Sequence, residues 1–388
     1  MTMDFGLSTE QQLLVDSVRA FVEAELVPYE NEVEKTNAVR PELIAQIRDR
    51  ALKAGFWAAN MPEELGGGGL DHVALALMER ELGRTSFALQ YAVARPSNIL
   101  RACVGEQIDR YLKPAIRGER VECLALTEPG AGSDLRSMKT RAVRQGDHYI
   151  VNGTKHFISY ADVADFIVLF AASGEEQTGK GAKKLITSFL VDKGTPGLEV
   201  RKGPNSVSHR GYHHCELIFT DCKLPVAQIL GEEHHGFDVA NKWLGATRLT
   251  VATQCVGRAQ KALEMATQWA ATRKQFGQTI GKFQGVSFKL ADMATEIQAA
   301  EWLVMSAAWK ADQGTVQDQD YAMAKLYATE MLARVTDHAV QIFGGMGLME
   351  EVGVERLWRD ARVERIWDGT SEIQRHIISR ALLRPHEG

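Results

Sequence analysis

The run Val121-Glu122-Cys123-Leu124-Ala125-Leu126-Thr127-Glu128-Pro129-Gly130-Ala131-Gly132-Ser133-Asp134 is where the chain changes character. It reads as a short strand that empties into a Gly-rich, hydroxyl-bearing loop. Upstream the pattern is helical. Ser8 and Gln11 stand at capping-box spacing, and Leu13, Leu14, Val18, Phe21 and Val22 recur on one helical face. A second helix starts at Pro41, a favoured first position, and stops near Gly55. The glycines 66–69 form a loop, because each would penalise a helix interior. Helical pattern resumes around 71–82 and continues with interruptions to about Gly118. Downstream of Val121, the segments 149–151, 166–170, 187–191 and 215–219 are short and rich in β-branched or aromatic residues. Turn residues separate them, and the polar stretch 173–184 reads as a hairpin tip or loop. After Gly236, long Ala-, Leu- and Met-rich runs at 249–273, 283–313 and 319–343 suit a helical bundle. The order of helices, strands and helices predicts an α+β multidomain chain. Its parts are an N-terminal all-helical domain (1–120), a central β-domain (121–233) and a C-terminal helical bundle (234–388).

Composition narrows the function classes. The 388 residues are 45% hydrophobic and 24% charged, ordinary globular proportions. Lys and Arg number 45 against 50 Asp and Glu, a net charge of −5 that offers no general field for nucleic acid or an anionic membrane. The cysteines Cys103, Cys123, Cys215, Cys222 and Cys255 are odd in number and lack a C-x-x-C pair, so they read as buried thiols in a reducing compartment. No apolar run reaches the ~18 residues that would span a bilayer, and the acidic start is unlike a signal peptide. The expectation is a cytoplasmic protein without a metal site. The adjacent pairs His213-His214 and His234-His235 argue against one, because neighbouring side chains diverge on regular elements. Trp302 and Trp309 read as helix packing.

Three segments carry chemistry. The loop 125–134 exposes backbone N–H groups directly after a strand, suited to an anionic ligand or simply to a turn. Gln341-Ile342-Phe343-Gly344-Gly345-Met346-Gly347 ends a helix with glycines that allow close backbone approach, although a C-cap explains one of them. In Arg365-Ile366-Trp367-Asp368-Gly369-Thr370-Ser371-Glu372-Ile373, a carboxylate beside Trp precedes a helix start, as a general base or as a cap.

Together these segments resemble the acyl-CoA dehydrogenase family over essentially the whole chain. Arg273-Lys274-Gln275-Phe276-Gly277, Phe283-Gln284 and Asp368-Gly369-Thr370-Ser371 fall at that family's spacing, and Arg356 and Asp360 continue its second signature. The resemblance implies a β-barrel-like central domain, a C-terminal four-helix bundle and a homotetramer (a dimer of dimers) with FAD at subunit interfaces. It implies that Leu124, Leu126 and Thr127 meet the flavin pyrimidine, with Phe157 and Ser159 flanking N5. Gly132 and Ser133 belong to the same loop, Ser133 lying near the CoA arm. Arg273, Phe276, Gln284, Gln341, Gly344 and Gly345 serve the FAD of a neighbouring subunit, while Thr370 and Glu372 complete the flavin site. The implied reaction is α,β-desaturation of an acyl-CoA thioester, with α-proton abstraction by a base and β-hydride transfer to flavin N5. An electron-transfer flavoprotein is the implied acceptor.

Two departures stand out. Most of the family has Glu where this chain has Asp368, and a second family position for the base, near Thr247-Arg248, holds no acid. Asp is one methylene shorter, and a misplacement of about 1 Å can cost about 100-fold in rate. A relative with different chemistry, nitroalkane-oxidase-like or an acyl-CoA desulfinase, is the alternative that Asp368 and Arg95 keep open. Arg95 falls where the family's acyl pocket is mainly small or apolar, so it either pairs with a polar acyl terminus or is a solvated surface Arg. Thr247, Arg248 and Gly369 complete the expected substrate contacts.

Overall fold

The computed structural model describes residues 6–93, 96–179 and 181–386. Its N-terminal layer contains α1 (Thr9–Phe21), α2 (Glu30–Thr36), α3 (Pro41–Lys53), α4 (His72–Leu82), α5 (Phe87–Ala92) and α6 (Lys113–Ile116). Local chemistry sets the boundaries. The Ser8–Gln11 capping box forms as read, Pro41 opens α3, and Asp71 caps α4 by accepting from the Ala74 N–H at 2.7 Å.

The central strands are β1 (Glu122–Ala125), β2 (Arg141–Gln145), β3 (His148–Ser159), β4 (Phe166–Thr178), β5 (Gly181–Asp192), β6 (Leu198–Lys202) and β7 (His214–Pro225). They form one curled sheet in the order β1-β4-β2-β3-β7-β6, with β5 on the other edge of β4. Strand β4 is apolar on both faces, and its period of two divides it. Phe166, Val168 and Phe170 join the core beneath the N-terminal helices, while Ile167, Leu169 and Ala171 join the core inside the sheet. The stretch 173–184 is more ordered than its polarity suggests. β4 and β5 stay paired through Glu175–Lys184 and Glu176–Lys183 to the Thr178–Gly181 turn, because two acids on one strand face two lysines on the other.

The C-terminal part is built on α7 (Gly236–Thr272), α8 (Gln284–Asp312) and α9 (Asp318–Phe343), followed by α10 (Val354–Glu364) and α11 (Ser371–Leu383). Alanines line the α7 seam, and its closest crossing is with α4. A Cβ on Gly257 would sit 1.8 Å from the Arg80 carbonyl oxygen, and one on Gly83 would sit 2.5 Å from that of Gln254. Gly257→Ala should therefore cost at least ~1–3 kcal/mol, since backbone must move to admit one methyl. A denaturant midpoint equal to the parent's would contradict this account of the crossing. Trp302 and Trp309 do not pack inward as expected. They are 44% and 56% exposed, on the α8 face that also carries Phe288 at seven-residue steps, away from the buried Met293, Ile297, Ala300 and Val304.

Candidate active site

The strand-to-loop junction after β1 is held from within. Glu128, expected as part of a ligand loop, turns inward. Its carboxylate accepts from the Lys139 N–H at 2.5 Å, the Thr140 N–H at 3.0 Å and Lys155 Nζ at 2.9 Å. Burial pushes the Glu128 carboxyl up, but Lys155 and the backbone donors outweigh it and hold it below its ordinary value. Burial lowers the Lys155 ammonium to about 8, against the pull of Glu128. Lys155 also donates to the Leu126 carbonyl at 2.9 Å, and the His156 N–H donates to that of Thr127 at 2.9 Å. The loop is thereby tied to β3. Between Lys155 and Ile158 the β3–β7 register slips by a bulge, and Phe157 lies in the left-handed region at φ 57°. A bulge re-aims a side chain, and Phe157 is left 54% exposed beside the half-buried Thr127, Leu124 and Ser159. The structure thus brings Leu124, Leu126, Thr127, Phe157 and Ser159 to one corner, with Gly132 and Ser133 exposed on the loop above.

Asp368 stands on a strained turn between α10 and α11. Its φ is 51°, in the left-handed region, and Gly369 follows at φ 93°. Three side chains hold this turn. Lys325 Nζ and Gln374 Nε2 donate to the Gly369 carbonyl at 2.8 and 2.7 Å, and the Thr370 hydroxyl accepts from the Ile373 N–H at 3.3 Å to cap α11. Thr370 is therefore a cap in addition to any other role. Among the described residues no hydrogen bond reaches the Asp368 carboxylate. Burial pushes its carboxyl up to about 6, with Lys325 and Arg248 pulling it down and Glu364 pushing it up. Arg248 lies on α7 with its Nε buried and without a hydrogen-bond partner. Thr247 on the same turn donates back to the Trp243 carbonyl at 3.0 Å.

A buried polar network backs this turn. Glu364 accepts from Trp367 Nε1 at 2.7 Å, from Arg258 Nη1, and pairs with His209 Nε2 at 3.0 Å. His209 stacks on Trp367 with ring centroids 5.0 Å apart, and its backbone N–H donates to Asp360 at 2.7 Å. Burial opposes ionisation of all these groups. The opposite charges outweigh it, raising His209 and lowering both Glu364 and Asp360. The side-chain floor under Trp367 is thus a set of paired charges that fixes its ring.

Arg273, Phe276, Gln284, Gln341, Gly344 and Gly345 form a separate group. Arg273 lies 6.0 Å over Trp269, which stacks on Phe343 at 4.9 Å, so the end of α7 and the end of α9 meet. Phe276 protrudes, 92% exposed, from a hairpin of β8 (Lys274–Gln275) and β9 (Gln278–Thr279). No hydrogen bond, ion pair or ring contact among the described residues links this group to the Asp368 corner. Glu372 is exposed at the start of α11. Arg95 lies outside the described residues. His213 and His214 diverge as expected: His213 Nε2 pairs with Asp162 at 2.7 Å, and His214 Nδ1 with the Ser159 hydroxyl at 3.3 Å. Asp162, His213 and Cys215 do bring donor atoms within 4.8 Å of one another, with burial holding the Cys215 thiol up at about 11.

Two participants escape a reading of the sequence: Lys325 and the Arg258–Glu364–His209 network. Lys325 alone left a signal. It interrupts the apolar stripe that Ala328, Leu332 and Val335 continue on α9, and it is fully buried.

Comparison with known proteins decides the family. Residues 8–119, 123–222 and 234–383 match the N-terminal, middle and C-terminal domains of acyl-CoA dehydrogenase. The chain belongs to the acyl-CoA dehydrogenase family. It is 39% identical to the 3-(aryl)acrylate reductase of Clostridium sporogenes, over 97% of this chain and 99% of that one. It is 38% identical to CarC, a subunit of the caffeyl-CoA reductase–Etf complex of Acetobacterium woodii, over 97% and 99%. The butyryl-CoA dehydrogenase structure from Megasphaera elsdenii superposes with a TM-score of 0.90 at 35% identity, covering 98% of this chain and 100% of that one. The FAD complex of PigA superposes at 0.89 with 28% identity, covering 98% and 99%. The enzyme is an FAD-dependent oxidoreductase of the acyl-CoA dehydrogenase type. Gly130, Gly132, Gly344 and Gly345 border open space, where an added Cβ would meet nothing within 4 Å. No helix among the described residues is long and apolar enough to cross a membrane.

Proposed function

We propose that this chain interconverts an acyl-CoA thioester and its α,β-unsaturated product, with Asp368 as the base. The observation that carries the proposal is the Asp368 carboxyl itself. It is desolvated, held on a strained turn, free of hydrogen bonds among the described residues, and faced by Lys325 and Arg248. Bound FAD supplies the two-electron acceptor for the hydrogen lost from the β-carbon. Ionised Asp368 takes the α-proton, and the neighbouring cations limit the cost of a desolvated carboxylate before that transfer. In the reverse direction protonated Asp368 returns the same proton. Among similar relatives, the names of the 3-(aryl)acrylate reductase and of CarC support a site that can also work in that direction, while a probable acyl-CoA dehydrogenase of Bacillus subtilis at 38% identity supports the oxidative one, and the Etf complex of CarC supports an electron-transfer flavoprotein as redox partner. Anaerobic mixing of the purified flavoprotein with acyl-CoA thioesters tests the reading, since bleaching of the flavin band reports reduction. An oxidised spectrum with every thioester, together with no reoxidation of reduced flavin by enoyl-CoA, would overturn it.

The acid limb of the pH profile follows from the raised Asp368 carboxyl. Only the ionised form accepts a proton, so log kcat/KM for oxidation should fall as pH drops through about 6 and be level above it. A limb centred near the ordinary carboxylate value, 3.8, would mean that the carboxyl is not desolvated.

We further propose that Arg273, Phe276, Gln284, Gln341, Gly344 and Gly345 reach the FAD of a neighbouring subunit in a homotetramer. The protruding Phe276 and the exposed Phe288–Trp302–Trp309 stripe support this, because a lone protomer gains nothing from presenting them to water. Arg273→Ala should lower the flavin-to-protein ratio and shift sedimentation towards smaller species. Full flavin occupancy in a tetramer would remove Arg273 from the cofactor site.

A further inference from the structure

We propose that the acyl group accepted beside Asp368 is aromatic, its ring held among Phe87, Tyr91, Tyr212 and Trp367. The proposal rests on the thioester reading above and adds the substrate class. Aromatic residues make up 7% of the chain, yet the rings beside Asp368 form an unbroken cluster. Trp367 precedes the base in sequence. Phe87 at the start of α5 lies 5.0 Å from Trp367 and 4.7 Å from Tyr212. Tyr91, one turn later, lies 5.4 Å from Tyr212 and stacks on Tyr160 at 4.7 Å. Burial holds the Tyr212 phenol up and neutral, with the nearby Asp368 carboxylate adding to this, and Tyr212 reaches Tyr160 at 5.0 Å and His214 at 5.3 Å.

The exposure pattern distinguishes lining from filling. Tyr160 and His209, at the back, are buried, with Tyr160 anchored by its hydroxyl to the Gly211 carbonyl at 2.7 Å. Phe87, Tyr91, Tyr212 and Trp367 keep part of their surface accessible. Rings with both edges and faces on offer recruit another ring by edge-to-face and offset stacking. A flexible alkyl chain gains less from such walls and loses more rotamer freedom on binding, whereas a planar aryl group is already rigid. Aromatic walls also attract organic cations. Here Arg248 and Lys325 act on Asp368 against Glu364, so these charges largely offset one another and the rings, not a net field, set the preference for the acyl terminus.

The test uses the holoenzyme and four thioesters: 3-phenylpropanoyl-, butyryl-, octanoyl- and 4-trimethylammoniobutyryl-CoA. Flavin bleaching and the dissociation constant from spectral perturbation are read for each. Cinnamoyl- against crotonyl-CoA is read in reverse on photoreduced enzyme. The aryl thioester is expected to show kcat/KM about 10–100-fold above butyryl-CoA. Tyr91→Leu and Tyr212→Leu, on separate elements, should each erode that preference while retaining flavin, and Tyr212→Phe should keep it. Butyryl-, octanoyl- or trimethylammoniobutyryl-CoA equalling the aryl thioester overturns the proposal and leaves the thioester reading standing. So does a preference that both Leu variants preserve. Silence toward all four thioesters and both enoyl-CoAs overturns the thioester reading, and this proposal with it.

Discussion

Asp368→Asn is expected to retain FAD and bind thioester, yet to reduce the flavin at least ~100-fold more slowly, the lower end of what a general base contributes. The amide is close in size and cannot accept a proton at neutral pH. The Lys325 and Gln374 bonds that hold the turn go to the Gly369 carbonyl, so they survive the change. The loss therefore isolates the chemistry. Rapid-mixing absorbance under anaerobic conditions measures it directly, and a rate near the parent's would remove Asp368 from the mechanism. Asp368→Glu asks a second question. The longer acid should relocate the carboxylate by about a methylene, enough to change the rate by up to about 100-fold in either direction. A gain on small acyl groups with a loss on bulky ones would show that the shorter acid makes room for substrate.

Glu364→Ala should be strongly destabilising, at ~3–5 kcal/mol. Removing this carboxylate strands Arg258, which is buried with another nitrogen already lacking a partner, and takes the acceptor from Trp367 Nε1. The His209 imidazole, raised by Asp360 and Glu364, loses one of the two anions that keep it charged. The sign of the linkage follows. A raised histidine contributes stability below its unfolded value of 6.5, and that contribution fades as pH climbs through the higher folded value. Glu364, held below its ordinary 4.5, contributes only where it is ionised, so the variant should lose most between about pH 4.5 and 6.5, where the parent has both a charged His209 and an ionised Glu364. Chemical denaturation at two pH values checks this, and a loss under about 1 kcal/mol would show that the network is not a paired buried array.

Much of the fold was legible because it depends on local periodicity and punctuation. The Ser8–Gln11 box, Pro41 and the strands around 149–151, 166–170 and 215–219 all formed where short-range chemistry placed them. The exposed faces were harder to read. Trp302 and Trp309 have helical spacing whichever side they take, and only the positions of α7 and α9 decide which side is covered.

The active-site residues divide along the same line. The sequence by itself singled out the candidate base: Asp368 is the acid found at either family position, between a Trp and a helix start, and it sits in the turn before α11. Only the tertiary structure decided its ionisation. Burial, Lys325 from α9, Arg248 from α7 and Glu364 from α10 converge on one carboxyl from positions that are remote along the chain. The same holds for Glu128, whose motif suggests a ligand loop but whose carboxylate faces Lys155 and two backbone N–H groups. A pattern of residue types records which groups are available. Desolvation and charge coupling depend on distance in space, and that distance is set only when the strands, the helices and the aromatic cluster pack together.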